Sequence, residues 1–434
     1  MRKLRIGIDV GGTFTDVVAV DAATRELVVA IKVPTTHAEP NGVAAGIVAG
    51  IGRLLADPRI DTAHVAFIAH STTQATNALL EGDVARVGVL GLLDGLGWLS
   101  RQQMRFGAFP LAAGSLFAPD FAFAGANDDA AMRASIDRLI EGGAQAIAAS
   151  ESFGVDHPAA EIRAVDYARA RGVEATSGHD VSTAYGLRAR TRTAALNAAI
   201  LPKMVRTARV TAKAVEAAAI AAPLMVMRSD GGVMDVGEIE RRPILTLLSG
   251  PAAGIAGVLL YERLSDGVFV EVGGTSSDCS AIRGGRPQML PATIGGHRTM
   301  LRTLDVRTLG IGGGSMIRID GNGVVDVGPR SAHIAGCSYA SFVTRQALDG
   351  ARIECVAPAS HDRADYAVLI APDGTNVALT ATCAANMLGA IPPGTFARGN
   401  VEAARYGFEL LARHLGIDAI ALARTVLTLA VGKL

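Results

Sequence analysis

Cysteine is scarce in this 434-residue chain, and so are aromatic residues and net charge. The four cysteines, Cys279, Cys337, Cys355 and Cys383, show no Cys-x-x-Cys spacing, so we predict no zinc cluster and expect reduced thiols in a cytoplasmic protein. Aromatic residues make up 4% of the chain although hydrophobic residues make up 50%, because much of the hydrophobic fraction is alanine. This composition favours small-residue helices packed closely on a sheet.

Lysine plus arginine and aspartate plus glutamate both number 41, which leaves no net charge. A nucleic-acid partner is not expected, because it would need a basic surface. No apolar run reaches membrane-spanning length, and the N-terminal run is interrupted by Asp9 as in a strand, so neither a membrane partner nor a signal peptide is predicted. The chain lacks a Walker lysine loop, a Gly-x-Ser-x-Gly elbow and a His-Glu-x-x-His pair, which leaves serine-hydrolase and zinc-protease chemistry without support.

Glycine, in contrast, is abundant, and its first cluster follows the apolar run at residues 5–10. Two consecutive glycines predict a tight turn, and the return of apolar residues at Val17 makes the segment a hairpin. A glycine tip presents backbone N–H groups and hydroxyls together, which suits a phosphate, although an ordinary hairpin has the same pattern. Asp9, just before the tip, is our candidate ligand for a hydrated Mg²⁺. The nucleotide-binding candidates at this hairpin are Gly11, Gly12, Thr13 and Thr15.

The same pattern recurs at residues 268–282, again as an apolar strand, an acid, a Gly-Gly-Thr turn and an aspartate. Two copies predict two similar lobes, each offering a hairpin to one ligand. The acid of the second copy is Glu271, and either Asp278 or Glu271 would position the attacking group, unless the acid only caps the turn. The nucleotide-binding candidates here are Gly273, Gly274, Thr275 and Ser276.

A third glycine cluster follows the second hairpin at Gly312, Gly313, Gly314 and Ser315. Glycines allow a backbone to pass flat against a ligand, so this turn is predicted to contact the adenosine side of a nucleotide, with a β-bulge as the alternative. A further set of polar residues lies where strands are expected to end, and each member would either cap a helix or turn or contact a substrate. This set consists of His70, Thr72, Thr73, Ser229 and Asp230.

Alternating strand and helix patterns predict an α/β protein. We expect a helix at residues 41–55, a loop-rich insertion at 94–127 and a long helical region at 187–222 kinked at Pro202. The predicted domains are an N-terminal lobe at 1–180, a second lobe at 181–390 and C-terminal helices at 391–434.

Taken together, these segments resemble the actin-like ATPase superfamily, and within it the hydantoinase A/5-oxoprolinase family. The order and spacing of the matching segments make the resemblance specific along most of the chain, although it thins beyond Cys337. The matching segments are residues 9–16, 70–73, 77–80, 192–193, 196–198, 229–232, 249–252, 273–278, 312–315 and 327–331.

The resemblance implies a two-lobed α/β fold of the actin-like ATPase (ribonuclease H-like) type with a nucleotide cleft between the lobes. It implies ATP and Mg²⁺ as cofactors, with Asp9 holding the metal and Asp278 or Glu271 acting with it in catalysis. The implied activity is ATP-dependent ring opening, in which the carbonyl oxygen of a lactam or cyclic imide, such as 5-oxoproline or a hydantoin, is phosphorylated before hydrolysis. A second, hydantoinase B-type subunit is the expected partner of this short member, and a homo-oligomer stays open.

Two other functions remain alternatives on the sequence alone. Small-molecule kinases share the actin-like fold and would release a stable phosphorylated product. A nucleotide-binding regulatory protein with a decayed ATPase would also keep the hairpins, and the glutamate at position 271 favours that interpretation, because the superfamily usually has an aspartate there.

Overall fold

The chain folds into two units of mixed α/β structure. The computed structural model describes residues 2–35, 44–94, 97–112, 115–321, 323–359 and 362–434. Unit 1 comprises Met1–Asp266 and Ile282–Asp305, and unit 2 comprises Gly267–Ala281 and Val306–Leu434.

Strands occur throughout the described residues of both units. In chain order they are Leu4–Val10 (β1), Phe14–Asp21 (β2), Leu27–Pro34 (β3), Val65–Thr72 (β4), Val87–Leu93 (β5), Phe109–Ala112 (β6), Ser115–Phe117 (β7), Asp120–Gly125 (β8), Ala146–Glu151 (β9), Glu174–Ser177 (β10), Leu224–Met227 (β11), Val233–Asp235 (β12), Gly267–Val272 (β13), Ser277–Arg283 (β14), Arg286–Pro287 (β15), Met289–Ile294 (β16), His297–Leu304 (β17), Val306–Leu309 (β18), Ser315–Asp320 (β19), Gly323–Ser331 (β20), Ser338–Tyr339 (β21), Arg352–Val356 (β22), Tyr366–Ile370 (β23) and Asn376–Ala378 (β24).

The α-helices of the same residues connect these strands. They are Ala44–Leu55 (α1), Gln74–Glu81 (α2), Gly97–Met104 (α3), Asp129–Glu141 (α4), Ala159–Ala170 (α5), Gly178–Val181 (α6), Leu187–Ala217 (α7), Ser249–Glu262 (α8), Ala381–Met387 (α9), Val401–Leu415 (α10) and Ala419–Val431 (α11).

The six-stranded sheet of unit 1 contains the first glycine hairpin. Its order is β12-β11-β4-β1-β2-β3, in which β1 and β2 are antiparallel neighbours and β4 runs parallel to β1. Alternate residues of β1 (Leu4, Ile6, Ile8 and Val10) are buried in one core with helix α1, as the period of two along a strand requires. The loop that follows β1 is therefore held on a rigid sheet.

A second sheet of unit 1 is wholly parallel, with the order β10-β9-β5-β8. The 31-residue helix α7 contains Pro202 and packs on β9 and β10 with its alanine-rich face. Small side chains allow this close approach of helix and sheet, which explains the high alanine content of the chain.

Unit 2 contains the second glycine hairpin and its own sheets. Strands β13 and β14 are neighbours in one sheet, β18 pairs with β14, and a second sheet has the order β20-β19-β23-β24-β21 with β22 beside β23. Helices α9, α10 and α11 bury apolar residues such as Phe408, Leu422 and Val426 in the main core of this unit. The predicted C-terminal helices are thus part of unit 2 and not a separate layer.

Two expectations about the organisation differ from the structure. The insertion at residues 94–127 is not loop-rich in its described part, because it contains α3, β6, β7 and β8, and β8 pairs in parallel with β5. Phe and Ala alternate along β8, so both of its faces carry apolar side chains and the polar–apolar alternation that indicates a half-buried strand is absent. The two units divide at Asp266/Gly267 and not near residue 180, since α7 packs on the parallel sheet of unit 1 and β11 is a strand of its six-stranded sheet. The predicted helix at 41–55 is present from Ala44, and its first three residues lie outside the described residues.

No single helix among the described residues is long and apolar enough to cross a membrane. Helices α10 and α11 have the length and hydropathy of a membrane span only when they are taken together, and the chain bends by 98° between them.

We predict that His70 makes the stability of the protein depend on acid pH. The side chain is 3% exposed within β4, and burial lowers its pKa to about 4, although a hydrogen bond with the backbone of Ile8 opposes this shift. The unfolded chain therefore binds a proton that the folded chain does not, so stability is full above pH 6.5 and is lost as the pH falls toward 4. Relative to His70→Leu, the wild type should lose about 3 kcal/mol of unfolding free energy between pH 7 and pH 4.

Denaturant unfolding of both variants at several pH values measures this difference, and His414→Leu on the exposed face of α10 is the control. Equal pH dependence of wild type and His70→Leu would contradict the prediction.

Candidate phosphate-binding hairpins

The first hairpin of unit 1 turns through Gly11 and Gly12, as the sequence predicts. The backbone N–H of Gly11 donates to the carbonyl of Phe14 at 3.0 Å, and a Cβ at Gly11 would lie 3.1 Å from that oxygen. A glycine is therefore needed for close passage of the two backbones. The sequence pattern did not reveal Thr35, whose N–H donates to the carbonyl of Thr13 at 2.9 Å and whose hydroxyl donates to that of Gly11 at 2.9 Å. Because of these two hydrogen bonds, the carbonyl groups of Gly11 and Thr13 are already paired and the conformation of the turn is stabilised.

Asp9 is the last residue but one of β1, the strand that leads into this turn, and Ser71 lies opposite it on β4. The hydroxyl of Ser71 donates to Oδ1 of Asp9 at 2.5 Å. Burial raises the pKa of Asp9, Asp16 raises it further, and the Ser71 hydrogen bond and Lys32 oppose the shift. The positive charge near Asp9 does not fully balance its buried carboxylate, so a cation bound there would be stabilised.

The first turn of helix α8 is fixed beside Asp9. The hydroxyl of Ser249 donates to the carbonyl of Thr72 at 2.9 Å and accepts from its N–H at 3.1 Å. A Cβ at Gly250 would lie 3.6 Å from Oδ1 of Asp9, so the helix begins close to the carboxylate. The N-terminal end of a helix carries partial positive charge, which favours both this anion and a phosphate.

Several predicted site residues of unit 1 have structural partners instead. The hydroxyl of Thr15 is buried and lies 3.1 Å from that of Thr35, so we assign Thr15 to packing and not to a phosphate. His70 is buried in the sheet, and the hydroxyl of Thr72 accepts from the N–H of Gln74 at 3.1 Å, which makes Thr72 part of the start of α2. The hydroxyl of Thr73 donates to the carbonyl of Val10 at 3.2 Å and ties that helix to the hairpin.

Ser229 and Asp230 also act within their own turn. The backbone of Ser229 donates to the carbonyl of Leu245 at 2.7 Å and accepts from Leu304 at 3.0 Å, and its side chain is buried. Asp230 accepts from Arg228 at 2.5 Å and from the N–H of Gly232 at 3.0 Å. These contacts favour the turn-capping alternative over substrate contact for this pair.

The second hairpin, in unit 2, repeats the turn of the first. The N–H of Gly273 donates to the carbonyl of Ser276 at 2.9 Å, and a Cβ at Gly273 would lie 3.0 Å from that oxygen. Ser277, like Thr15, is buried, and its hydroxyl donates to the carbonyl of Ile311 at 2.7 Å. The two hairpins therefore share their turn hydrogen bond, their glycine requirement and a buried hydroxyl residue after the tip.

The acids of the second hairpin are both partly exposed. The hydroxyl of Thr308 on β18 donates to the carboxylate of Asp278, whose pKa is nevertheless raised because burial outweighs this hydrogen bond. A carboxylate with a raised pKa is a suitable proton acceptor, so Asp278 stays our candidate, with Glu271 beside the turn as the alternative.

The third glycine cluster packs on this second hairpin. The N–H groups of Gly313 and Gly314 donate to the carbonyls of Gly273 and Gly274 at 2.9 and 2.7 Å. A Cβ at Gly312 would lie 2.7 Å from the Gly273 carbonyl, and one at Gly314 would lie 2.0 Å from the hydroxyl of Tyr339. The glycines are thus required by contacts within the chain, and their contact with the adenosine side of a nucleotide stays a prediction.

Ser315, the last residue of this glycine cluster, stabilises the turn with its side chain. Its side chain is buried, and its oxygen accepts from the N–H of Gly312 at 2.9 Å. Thr382, which the sequence pattern did not reveal either, donates its N–H to the carbonyl of Gly313 at 2.8 Å. The cluster therefore stabilises the second hairpin by hydrogen bonds to its carbonyl groups, as Thr35 stabilises the first.

The described residues contain no group of three or more histidine, cysteine, aspartate or glutamate side chains that could hold a metal ion. This finding does not conflict with Mg²⁺ at Asp9, because Mg²⁺ in nucleotide sites is held by one or two carboxylates together with phosphate oxygens and water. All four cysteines are free thiols, as predicted.

Two family models match this sequence. The model described as hydantoinase/oxoprolinase matches residues 190–434, and the model described as the hydantoinase/oxoprolinase N-terminal region matches residues 5–104. The chain therefore belongs to the hydantoinase/oxoprolinase family, which confirms the resemblance drawn from the sequence.

Two curated relatives cover three quarters of the chain. Caprolactamase subunit alpha of Pseudomonas jessenii is 31% identical over 367 residues, which are 76% of this chain and 51% of that protein. The acetophenone carboxylase gamma subunit of Aromatoleum aromaticum is 29% identical over 384 residues, which are 75% of this chain and 49% of that protein. The chain thus spans about half the length of these relatives.

Two solved structures share the fold. The nucleotide-free acetone carboxylase structure has a TM-score of 0.66 at 20% identity, and the ATP-dependent caprolactamase from Pseudomonas jessenii has a TM-score of 0.61 at 27% identity. Each likeness covers 98% of this chain and 61% of the other. The predicted α/β fold of the actin-like ATPase type is confirmed.

We predict that Gly314→Ala destabilises unit 2. The new methyl group would overlap the hydroxyl of Tyr339 and the carbonyl of Gly274, so the turn or the hairpin must shift, at a cost of roughly 1–3 kcal/mol. Gly321→Ala is the matched control, because no atom of the described residues lies within 4 Å of its Cβ position, and we expect a change below about 0.5 kcal/mol. Urea unfolding followed by circular dichroism measures both values, and equal stability of the two variants would contradict the role assigned to Gly314.

Proposed function

We propose that the chain binds Mg·ATP through its two glycine hairpins and transfers the γ-phosphoryl group to the carbonyl oxygen of a small substrate. The observation that carries the proposal is the repeated turn, in which Gly11 and Gly273 donate to the residue three positions on. Each turn follows a strand that carries an acid two residues earlier, Asp9 or Glu271. Backbone N–H groups at such tips suit phosphate oxygens.

The proposed substrate class is a lactam or a cyclic imide. Caprolactamase is named for a lactam and acetophenone carboxylase for a ketone, and a carbonyl oxygen is common to both compounds. Transfer of a phosphoryl group to that oxygen would serve either chemistry. The closer sequence likeness to the lactam-named protein favours ring opening for this chain.

The proposed reaction begins with attack of the carbonyl oxygen on the γ-phosphorus. The bond between that phosphorus and the β–γ bridging oxygen breaks, ADP leaves, and the ring nitrogen gives up its proton, so an O-phosphorylated imidate forms. Water then adds to the former carbonyl carbon, the carbon–nitrogen bond breaks with protonation of the nitrogen, and an acyl phosphate results. A second water releases inorganic phosphate. Phosphorylation helps because it removes the amide resonance that slows attack by water.

We assign a role in this reaction to each candidate residue according to its position in the structure. Asp9 would hold Mg²⁺, which neutralises charge on the transferring phosphoryl group. The hairpin N–H groups would hold the phosphate oxygens in line, and Asp278, or Glu271 in its place, would accept the proton or orient the water. Because the relatives are named as subunits, we propose that a second subunit completes hydrolysis. We also propose a cytoplasmic location, where Mg·ATP is available.

Calorimetric titration with Mg·ATP tests the site. Asp9→Asn removes the charge at the end of β1 and should weaken binding about tenfold or more, which is about 1.4 kcal/mol or more. Asp57→Asn, a half-buried aspartate paired with Arg59 in the same unit, is the control and should bind as the wild type does. Absence of Mg·ATP binding by the wild-type chain, or equal binding by both variants, would refute the proposed site.

The reaction class is tested by phosphate release in the presence of 5-oxoproline, caprolactam or a hydantoin, alone and with a candidate second subunit. Release that depends on the cyclic amide and yields the ring-opened product supports the proposal. A stable phosphorylated product in ³¹P NMR would instead favour a kinase, and binding without turnover in either setting would favour a regulatory protein.

A further inference from the structure

A second feature of unit 1 lies at the carboxyl edge of the parallel sheet. The chain passes from β5 to β8 on one side, and then to β9 and β10 on the other side of β5. The connections therefore diverge between β5 and β9, and in open α/β sheets ligands bind outside the carboxyl ends of the strands at such a point. Glu151 is the last residue of β9 and lies opposite Leu92, and Asp94 follows the end of β5.

Glu151 is an unusual residue for this position. Its side chain is 7% exposed, and Oε2 has no hydrogen-bond partner among the described residues. Burial and, to a smaller extent, the carboxylates of Glu161 and Asp94 raise its pKa to about 7, although Arg163 and His157 act in the opposite direction. A buried carboxyl group without compensation is costly to fold, and such groups concentrate at functional sites.

The surroundings of Glu151 are rigidly built. Oε1 of Glu161 accepts from the N–H of Glu151 at 2.7 Å, and Oε2 accepts from Nδ1 of His179 at 2.9 Å, so the Glu161 carboxylate is already satisfied. The buried guanidinium of Arg190 donates to the carbonyls of Glu151 and Ser152 at 2.6 and 3.1 Å. These bonds hold the chain after β9 in place, and they leave Oε2 of Glu151 without a hydrogen-bond partner among the described residues.

The same edge also carries exposed aromatic residues. Phe153, two residues beyond Glu151, is 56% exposed. The hydroxyl of Ser152 donates to that of Ser100 at 2.5 Å, which brings helix α3 to this edge, and α3 carries Trp98, which is 70% exposed. Apolar surface near a buried acid suits an organic cation better than a metal ion, and the described residues offer no group of three metal ligands.

We propose that this edge, defined by Asp94, Glu151 and Phe153, is a binding site for a small organic ammonium ion whose charged group pairs with the carboxylate of Glu151. The site is separate from the glycine hairpins and adds a second ligand to the function proposed above. An ammonium group supplies the hydrogen-bond donor that Oε2 of Glu151 lacks within the described residues. The alkyl part of the ligand would cover the apolar surface at the rim.

The charge on Glu151 makes this binding depend on pH. Only the ionised carboxylate pairs with an ammonium ion, which itself stays protonated below about pH 9. The groups around Glu151 are Asp94 after β5, Glu161 and Arg163 on α5, His157 before α5, and Arg190 on α7. With the Glu151 pKa at about 7, affinity should rise about tenfold between pH 6 and pH 8.

Titration with n-butylammonium chloride tests the site, with 1-butanol and butanoate as uncharged and anionic comparisons. The wild-type chain at pH 8 should bind butylammonium saturably and the other two compounds at least tenfold more weakly. Glu151→Gln should weaken butylammonium binding tenfold or more and abolish the rise with pH. Glu141→Gln, an exposed glutamate at the end of α4, is the matched control and should change neither.

Mg·ATP binding and stability measurements distinguish loss of the ammonium site from loss of the fold. Glu151→Gln should leave Mg·ATP binding unchanged and should be at least as stable as the wild type at pH 8, because it removes a buried charge. If Glu151→Gln does not fold, Asp94→Asn replaces it and should weaken butylammonium binding severalfold. Absence of saturable binding by the wild type at 50 mM butylammonium would overturn the proposal, and so would equal binding by the wild type and the folded variant.

Discussion

The hydrogen bond that closes each glycine turn is the interaction on which both candidate phosphate-binding hairpins depend. It brings two backbones so close that a side chain at Gly11 or Gly273 would press on the accepting carbonyl. The tip is then held from behind, by the side chain and N–H of Thr35 in unit 1 and by the N–H groups of Gly313 and Gly314 in unit 2. In both hairpins the supporting contacts are made to carbonyl oxygens. This polarity matters for function, because a tip whose carbonyls already accept bonds from the chain turns its positive side to an anion.

The same principle explains which parts of the structure could be predicted from the sequence. Two glycines after an apolar strand have few structural solutions, so the hairpins, and through their repetition the family and fold, follow from residues 9–16 and 273–278. The alternation of a strand is equally informative, because it places Thr15 on the same face of β2 as the buried Val17. The hydroxyl group of Thr15 by itself suggests a ligand contact, whereas the strand register places it in the core.

Other parts depend on contacts between distant residues, which a single sequence does not reveal. Ser71 meets Asp9 only because β4 pairs in parallel with β1, and Gly250 approaches the same carboxylate only because Ser249 bonds to the end of β4. The glycines at 312–314 show the converse limit. Glycine is needed there as predicted, but the atoms that exclude a Cβ belong to the second hairpin, to Tyr339 and to Thr382. Sequence alone shows that space is restricted and not which group restricts it.

The carboxylates of unit 1 separate structural from chemical roles. Glu161 is fully buried, yet it is bonded by two backbone N–H groups and a histidine ring, so its charge is part of the fold. Asp9 and Glu151 each lie at the carboxyl end of a strand, and burial is the largest cause of the raised pKa of both. Folding places these two charges where the chain does not compensate them fully. An external positive charge would relieve this cost, as a metal ion held with phosphates at Asp9 and as an ammonium group at Glu151, so the same physical argument leads to two ligands of different chemistry.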